Sequence, residues 1–559
     1  MPDLVSRPTL VHHFRANVQF RPDRGCLWFH ENGEATTRTW RQVGRDVARA
    51  ESALKKLGID RGDHVAFISP NRYEWLIVDL AILGRGAVHV PIHNSLTGPQ
   101  YRFQIVDSRA KLLIVGGDEQ AAKLRQAETL PRDLPIVSLD AMSGPLGGDG
   151  ATTPGRLFDL ADEMTDGQVD SWCESSITGA SPNELATILY TSGTTGDPKG
   201  VMLTHGNLNS NAESMVAGFG GPQDERRLNL LPFSHIFART CDMYCWLVGG
   251  SEMALADAPQ TAIENAAEFE PRMLNAVPYF YERVMRKLVE IGMADEPGLL
   301  QGILGGKIEY CCSGGAPLPP HLAKFFNDRG VLLVQGYGLT ETSPVITMNT
   351  HLEYKHDTVG KALPNVEVKI ADDGEIVTRG PNVMIGYWER PQETAEALRD
   401  GWFHTGDVGC IDEAGYLKIT GRKKELIVTN GGKKVVPNHV ESLLVADPLI
   451  RQCAIIGDGR NYLTALIYPE PPLLLAAMKE AGIDVADEDA ACRHPQASVM
   501  IGERIKQRLA GLSHYEQVQK FTLIDREFSV DKEEMTLTMK MRREQIAKNF
   551  GDVIAKMYA

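Results

Sequence analysis

No stretch of the 559 residues approaches the roughly 20 consecutive apolar side chains that a membrane span requires. The opening MPDLVSRPTLVHHF also lacks the apolar core of a secretory signal. A cytoplasmic chain is therefore expected, with peripheral contact at the inner membrane face left open. Positive charge is in deficit: 58 Lys and Arg stand against 73 Asp and Glu, a net of −15, and no basic block interrupts the acidic balance. Such a surface repels a phosphodiester backbone, so nucleic acid is excluded as a partner. The nine cysteines lack the short spacing of a zinc-ligand pair, and the adjacent Cys311 and Cys312 sit in a strand-like run that points them to opposite faces. All nine read as reduced core residues. No internal repeat of fixed period is visible.

What remains is an ordinary globular composition, 43% hydrophobic and 23% charged, in a chain too long for one compact core. Two or more domains are expected. Residues 40–120 alternate helical stretches, amphipathic over 43–57 and a helical pattern over 73–83, with short apolar runs (64–68, 88–92, 111–115), the pattern of an α/β layered fold. Residues 143–180, rich in Gly, Ser, Thr and Asp, read as surface coil with at most a short helix over 158–164. A second α/β stretch spans roughly 181–400. In it, apolar runs at 185–190, 307–312 and 331–335 each break into a Gly-rich loop. Ligands in open α/β sheets sit at the carboxyl ends of strands, so these three loops are expected to meet. The character changes after Asp407, and a domain boundary is placed between Arg422 and Lys424.

The segment Tyr190-Thr-Ser-Gly-Thr-Thr-Gly-Asp-Pro-Lys-Gly200 concentrates phosphate-binding chemistry. Thr191, Ser192, Thr194 and Thr195 offer hydroxyl donors, Gly193 and Gly196 let backbone amides turn toward an anion, and Lys199 supplies a positive charge. It is not a Walker A loop, because Lys199 is followed by Gly200 rather than by Ser or Thr. Nor is Gly336-Tyr-Gly-Leu-Thr-Glu341 a dinucleotide fingerprint, since Glu341 stands where the third glycine must be.

The eleven-residue string resembles the signature of the adenylate-forming superfamily, which includes acyl- and aryl-CoA synthetases, adenylation domains and luciferases. Further motifs follow in the order of that superfamily: Leu231-Pro-Phe-Ser-His-Ile236, Ser313-Gly-Gly-Ala-Pro317, Gln335-Gly-Tyr-Gly-Leu-Thr-Glu341, Phe403-His-Thr-Gly-Asp407, Gly421-Arg-Lys-Lys424 and Thr536-Leu-Thr-Met-Lys540. Within it, the chain looks most like bacterial long-chain fatty acyl-CoA synthetases. The resemblance implies a large N-terminal AMP-binding domain (1–422) of layered sheets and helices and a small mobile α+β lid (423–559). The reaction implied is fatty acid plus ATP to acyl-adenylate and diphosphate, then displacement of AMP by the thiol of CoA.

The resemblance also assigns roles. Residues 191–199 would hold the β- and γ-phosphates, Glu341 would ligate Mg²⁺, and Thr340 would donate to the α-phosphate. Asp407 would accept the ribose hydroxyls and Arg422 would add a contact there. Tyr337 would face adenine beside Gly315, Ala316 and Gly338. Lys540 would bridge the carboxylate and the α-phosphate, and His235 would lie beside the acyl carboxylate. Lys424 would be the hinge that swings Gly431, Gly432 and Lys433 to the CoA side. The segment between Tyr281 and Ser313 is shorter than in many long-chain synthetases, which keeps medium-chain acids open. A carrier protein is the alternative acceptor, although no carrier domain is expected after Lys540.

Overall fold

The computed structural model of the protein describes residues 8–126, 130–131, 133–146, 154–175, 180–191, 198–221, 225–529, 531–535 and 541–559, with the side chains of residues 175 and 424 excepted. Among these residues the N-terminal three-quarters is built on two large sheets. One has seven strands, in the order Gly386–Tyr387, Lys199–Thr204, Leu185–Thr191, Val88–Ile92, His64–Ile68, Leu112–Val115 and Ile136–Ser138. The other has nine, running from Lys361–Ala362 through Val345–Met348, Leu332–Gly338, Tyr310–Ser313, Met273–Ala276, Arg226–Asn229 and Glu252–Leu255 to the hairpin Gly25–Glu31 and Glu34–Thr39. The three runs expected to converge thus come from different sheets: Leu185–Thr191 belongs to the first, Tyr310–Ser313 and Leu332–Gly338 to the second.

Alternation along the strands explains the layering. Val65 and Phe67 enter one core, which they share with Leu228, Leu274, Cys311 and Leu333 of the other sheet, whereas Ala66 and Ile68 face a separate core with Tyr101, Ile105 and Leu124. The helix Tyr73–Gly84 is apolar nearly all round and buries Trp75, Leu76, Ile77, Val78, Leu80, Ile82 and Leu83, as a helix covered on every side must. Trp40 and Trp246, both fully buried, stack at 4.6 Å and join the amphipathic helix Trp40–Lys56 to the helix Cys245–Gly249.

Two expectations are corrected. Beyond a single helical turn at Leu157–Leu160, the segment read as surface coil carries the helix Asp166–Ser175. That helix is held by long-range contacts: Val169 and Cys173 are buried, the Trp172 carbonyl accepts from Arg15 (2.8 Å), and the Trp172 indole donates to Glu51 (2.8 Å). The cysteines are all free thiols, but Cys410 is exposed rather than in the core, because it lies near the end of the strand Trp402–Ile411 where the sheet meets solvent.

A third, five-stranded sheet is built from Glu367–Ile370, Glu375–Arg379, Trp402–Ile411, Leu398–Arg399 and Leu417–Arg422. Beyond it, a three-stranded sheet (Ile450–Ile456, Leu463–Pro469, Val518–Leu523) with its own core of Val440, Leu444, Ile455, Leu463, Ile467 and Ile501 forms the C-terminal part.

The inter-sheet core contains a buried polar cluster. Arg239 pairs with Asp79 and donates to Thr187 (2.8 Å), while Asp79 also contacts His89 and the Tyr244 hydroxyl. Burial and the neighbouring guanidinium push the His89 pKa down to about 4, and burial pushes that of His205 down to about 4 as well. As pH falls below about 6.5 the unfolded chain protonates both imidazoles, whereas the folded chain does so only near 4, so stability declines across that window. Chemical denaturation should show a loss of about 2 kcal/mol per histidine between pH 7 and pH 5, and His205→Leu should flatten the profile.

Candidate active site

The strand Leu332–Gly338 and the turn that follows it form the centre of the candidate site. Gln335 ties it to the adjacent loop: its side-chain oxygen accepts from the Leu318 amide (3.2 Å) and its amide donates to the Thr358 carbonyl (3.1 Å). That loop begins at Ser313. The ring of Phe237 lies so close to Gly314 that a Cβ there would fall 2.8 Å from it, and Gly315 takes φ +80, with Ala316 next in the turn. His235 precedes the short helix Ile236–Ala238 and its Nδ1 accepts the Phe237 amide proton (3.3 Å). Phe237 thereby sets the turn at Gly314 against the short helix that His235 precedes.

Two residues on, Tyr337 donates its hydroxyl to Asp407 (2.6 Å), and the Nε of Arg422 donates to the other oxygen of the same carboxylate (2.7 Å). Asp407 is buried on the strand Trp402–Ile411 and pairs in register with Arg422 on Leu417–Arg422. A carboxylate has about four lone-pair positions, so Asp407 keeps acceptor capacity beyond these two donors. Behind it, Glu375 accepts from the Gly406 amide (2.9 Å) and pairs with His404 (2.9 Å) and Lys423 (3.0 Å), and these partners hold its carboxyl below the usual range against the opposing effect of burial.

The turn Thr340–Thr342 places Glu341. One oxygen of its carboxylate accepts from the Tyr387 hydroxyl (2.8 Å), and its main-chain carbonyl accepts from the Met384 amide (2.8 Å). Lys199 lies with its ammonium 5.2 Å from the centre of the Tyr387 ring. Tyr387 therefore links the hairpin that carries Lys199 in one sheet to the Glu341 turn of the other. No sequence motif singled it out. It stands in a Gly-Tyr-Trp string whose partners are distant in sequence, so only the folded chain reveals it.

Thr191 and Lys199 face each other across the mouth of that hairpin. Ser192, Gly193, Thr194, Thr195 and Gly196 lie outside the described residues, as do Lys540 and the side chain of Lys424. Gly431, Gly432 (φ +71) and Lys433 form the exposed turn between Ile427–Val428 and Lys434–Val435, with the Lys433 ammonium over the Tyr515 ring. Among the described residues this turn makes no hydrogen bond to the Tyr337–Glu341 segment.

A family model of AMP-binding enzymes matches residues 14–388, and one for the AMP-binding enzyme C-terminal domain matches residues 424–559. The chain belongs to the AMP-binding enzymes. Similar curated proteins include a long-chain-fatty-acid–CoA ligase of Mycobacterium tuberculosis, FadD15, 34% identical over 94% of this chain and 93% of its own. A feruloyl-CoA synthase of an Amycolatopsis species is 33% identical over 76% of this chain and 81% of its own. Among solved structures, the anthranilate CoA ligase AuaEII with anthranoyl-AMP superposes with a TM-score of 0.77 at 21% identity, covering 99% of this chain and all of that one. ATP-bound MatB from Rhodopseudomonas palustris gives 0.74 at 24% identity, with 97% and 99% covered. These two likenesses show the shared fold.

In this AMP-binding enzyme Gly338 has no room for a side chain. A Cβ would come 1.8 Å from the carbonyl oxygen of Pro344, the residue before the strand that pairs beside it. Gly338→Ala should displace the Glu341 turn and lower the unfolding midpoint by the equivalent of roughly 1–3 kcal/mol or more. Urea denaturation measures the loss, and an unchanged midpoint would contradict the packing described.

Proposed function

We propose that this chain is an ATP-dependent fatty acid–CoA ligase that works through an acyl-adenylate. The observation that carries the reading is the convergence on the segment from Gln335 to Glu341 of an Asp407–Arg422–Tyr337 acceptor cluster, the Gly314–Ala316 turn with His235, and, through Tyr387, Lys199. The FadD15 likeness, spanning nearly both chains, supports a fatty acid and CoA as the substrates.

The reaction joins a carboxylate oxygen to the α-phosphorus of ATP with departure of diphosphate. The CoA sulfur then bonds to the acyl carbon as AMP leaves with the electron pair of the broken C–O bond. Both reactants of the first step are anions, so the enzyme's task is to neutralise charge and hold geometry. In this reading Thr191, Lys199 and the hydroxyls and amides between them grip the departing diphosphate. Thr340 donates to the α-phosphate, and Asp407 and Arg422 take the ribose. Tyr337, Gly315, Ala316 and Gly338 wall the adenine, His235 lies beside the acyl carboxylate, and Lys540 bridges it to the α-phosphate.

Among the described residues no cluster of three or more metal-ligating side chains exists. A single carboxylate, Glu341, facing phosphate oxygens suits Mg²⁺, which keeps several waters and takes few protein ligands. Mg²⁺ bound there would offset phosphate charge.

We further assign 1–422 as the AMP-binding domain and 423–559 as a lid that turns about Lys424 to bring Gly431–Lys433 to the CoA side. Supporting this, Lys423 is tied to Asp373 (2.6 Å) and Glu375 on the large part, whereas Glu425 faces Arg543 (3.9 Å) on the small one. Residue 424 is the only one between these opposite attachments.

Two experiments test the reading. Diphosphate release with a panel of C6 to C18 acids should require both ATP and acid, and acyl transfer should proceed to CoA; transfer only to a carrier protein would reject the ligase assignment. Lys424→Pro should retain one half-reaction and lose the other, and equal loss of both would reject the hinge.

A further inference from the structure

Tyr387 stands on a segment anchored on both sides. Ile385 and Trp388 donate their amides to Met202 (3.1 Å) and Gly200 (2.7 Å), the strand that begins at Lys199, and Met384 donates to the Glu341 carbonyl (2.8 Å). The Tyr387 amide donates to the Thr394 hydroxyl (2.9 Å), and the Trp388 indole to the Asp107 carbonyl (2.9 Å). Gly386 allows the close approach, since a Cβ there would lie 2.8 Å from the Thr394 methyl. The edge pairing of Gly386 with Met202 and of Tyr387 with Val201 fixes the register. The ring is thus delivered to a set position by backbone bonds on both sides.

What it separates is a pair of opposite charges. The Lys199 ammonium lies over the ring, the geometry of a cation–π contact, and the Glu341 carboxylate accepts from the hydroxyl at the ring's edge. Among the described residues Lys199 forms no ion pair. A lysine and a glutamate free to approach would join each other, and that pair would have to be broken before the lysine could meet phosphate or the glutamate a cation. A phenol between them satisfies both ends without neutralising either, because its face attracts a cation and its hydroxyl donates to an anion.

We propose that Tyr387 is a positioning residue that holds Lys199 and Glu341 apart and pre-set for the polyphosphate of the nucleotide and its metal ion. This rests on the proposed function of the same site. Losing the hydroxyl releases Glu341, and losing the ring releases Lys199 as well, so the two contributions can be separated.

The test is calorimetric binding of a non-hydrolysable ATP analogue, with and without Mg²⁺, to the full-length wild-type protein and to Tyr387→Phe and Tyr387→Leu. Steady-state KM values for ATP and for acid are measured alongside, with melting temperatures. Tyr387→Phe should weaken binding about tenfold with Mg²⁺ present and much less without it. Tyr387→Leu should weaken binding in both conditions, and both variants should raise KM for ATP while leaving KM for acid unchanged. Wild-type Kd values in Tyr387→Phe would overturn the proposal, as would an equal rise in both KM values accompanied by a lowered melting temperature. Should Tyr387→Leu fail to fold, Tyr387→Phe decides alone. Absence of nucleotide binding by the wild type would overturn the function itself, an outcome distinct from binding that ignores Tyr387.

Discussion

The fully buried pair of Arg239 and Asp79 holds the two large sheets in one arrangement. Asp79 projects from the helix Tyr73–Gly84, whose apolar sides lie in the core shared by both sheets, and Arg239 extends from the π-helical turn Arg239–Tyr244. From there the guanidinium also reaches Thr187, on the strand Leu185–Thr191 that pairs with the strand beginning at Lys199. A lone buried charge is so costly that each partner needs the other, and geometry, more than net stabilisation, is what such a pair secures. The Asp79 carboxyl is accordingly held below its usual range despite burial that would raise it, and the Arg239 pKa is raised despite burial that would lower it.

The fixed arrangement matters because the candidate site is assembled across the sheets. Lys199 comes from one and Glu341 from the other, with Tyr387 spanning the gap from an edge strand of the first. An acidic chain of net charge −15 can hold a polyanionic nucleotide only if its local field opposes its global one. The site follows that rule: the buried carboxylate Asp407 is compensated by Arg422, and Glu341 is turned to a phenol, leaving Lys199 without an ion pair among the described residues.

Legibility in the sequence followed burial. The strands His64–Ile68 and Val88–Ile92 and the helix from Tyr73 stand where the apolar runs placed them, since parallel strands covered on both faces read as unbroken hydrophobic stretches. The helix Asp166–Ser175 was hidden by its polar composition, with only Val169 and Cys173 to mark an inner face and its decisive partners, Arg15 and Glu51, far away in sequence. The candidate site divides in the same way. Asp407, Arg422, Tyr337 and Glu341 stood out because they lie in short strings that resemble the motifs of the adenylate-forming superfamily. Nothing local distinguishes Tyr387 or Glu375, whose meaning lies in contacts that only the fold creates.

Among the described residues the large and small parts share no buried apolar cluster, and the ion pair of Glu470 with Arg286 crosses between them. Glu470 of the small part is buried and takes Arg286 from the helix Pro278–Glu290 of the large one, yet it also lies beside Arg451 of its own part (3.4 Å). Were the Arg286 contact to open, Glu470 would keep a cation and would not be left as a lone buried charge, so the cost of parting stays small. On either side of residue 424 the ion pairs are partly exposed and attach to opposite parts, which is compatible with the turning about Lys424 proposed above. Polar contacts that can be exchanged, on both sides of a one-residue junction, are what a rotating lid requires, and an apolar interface of the same extent would hold it still.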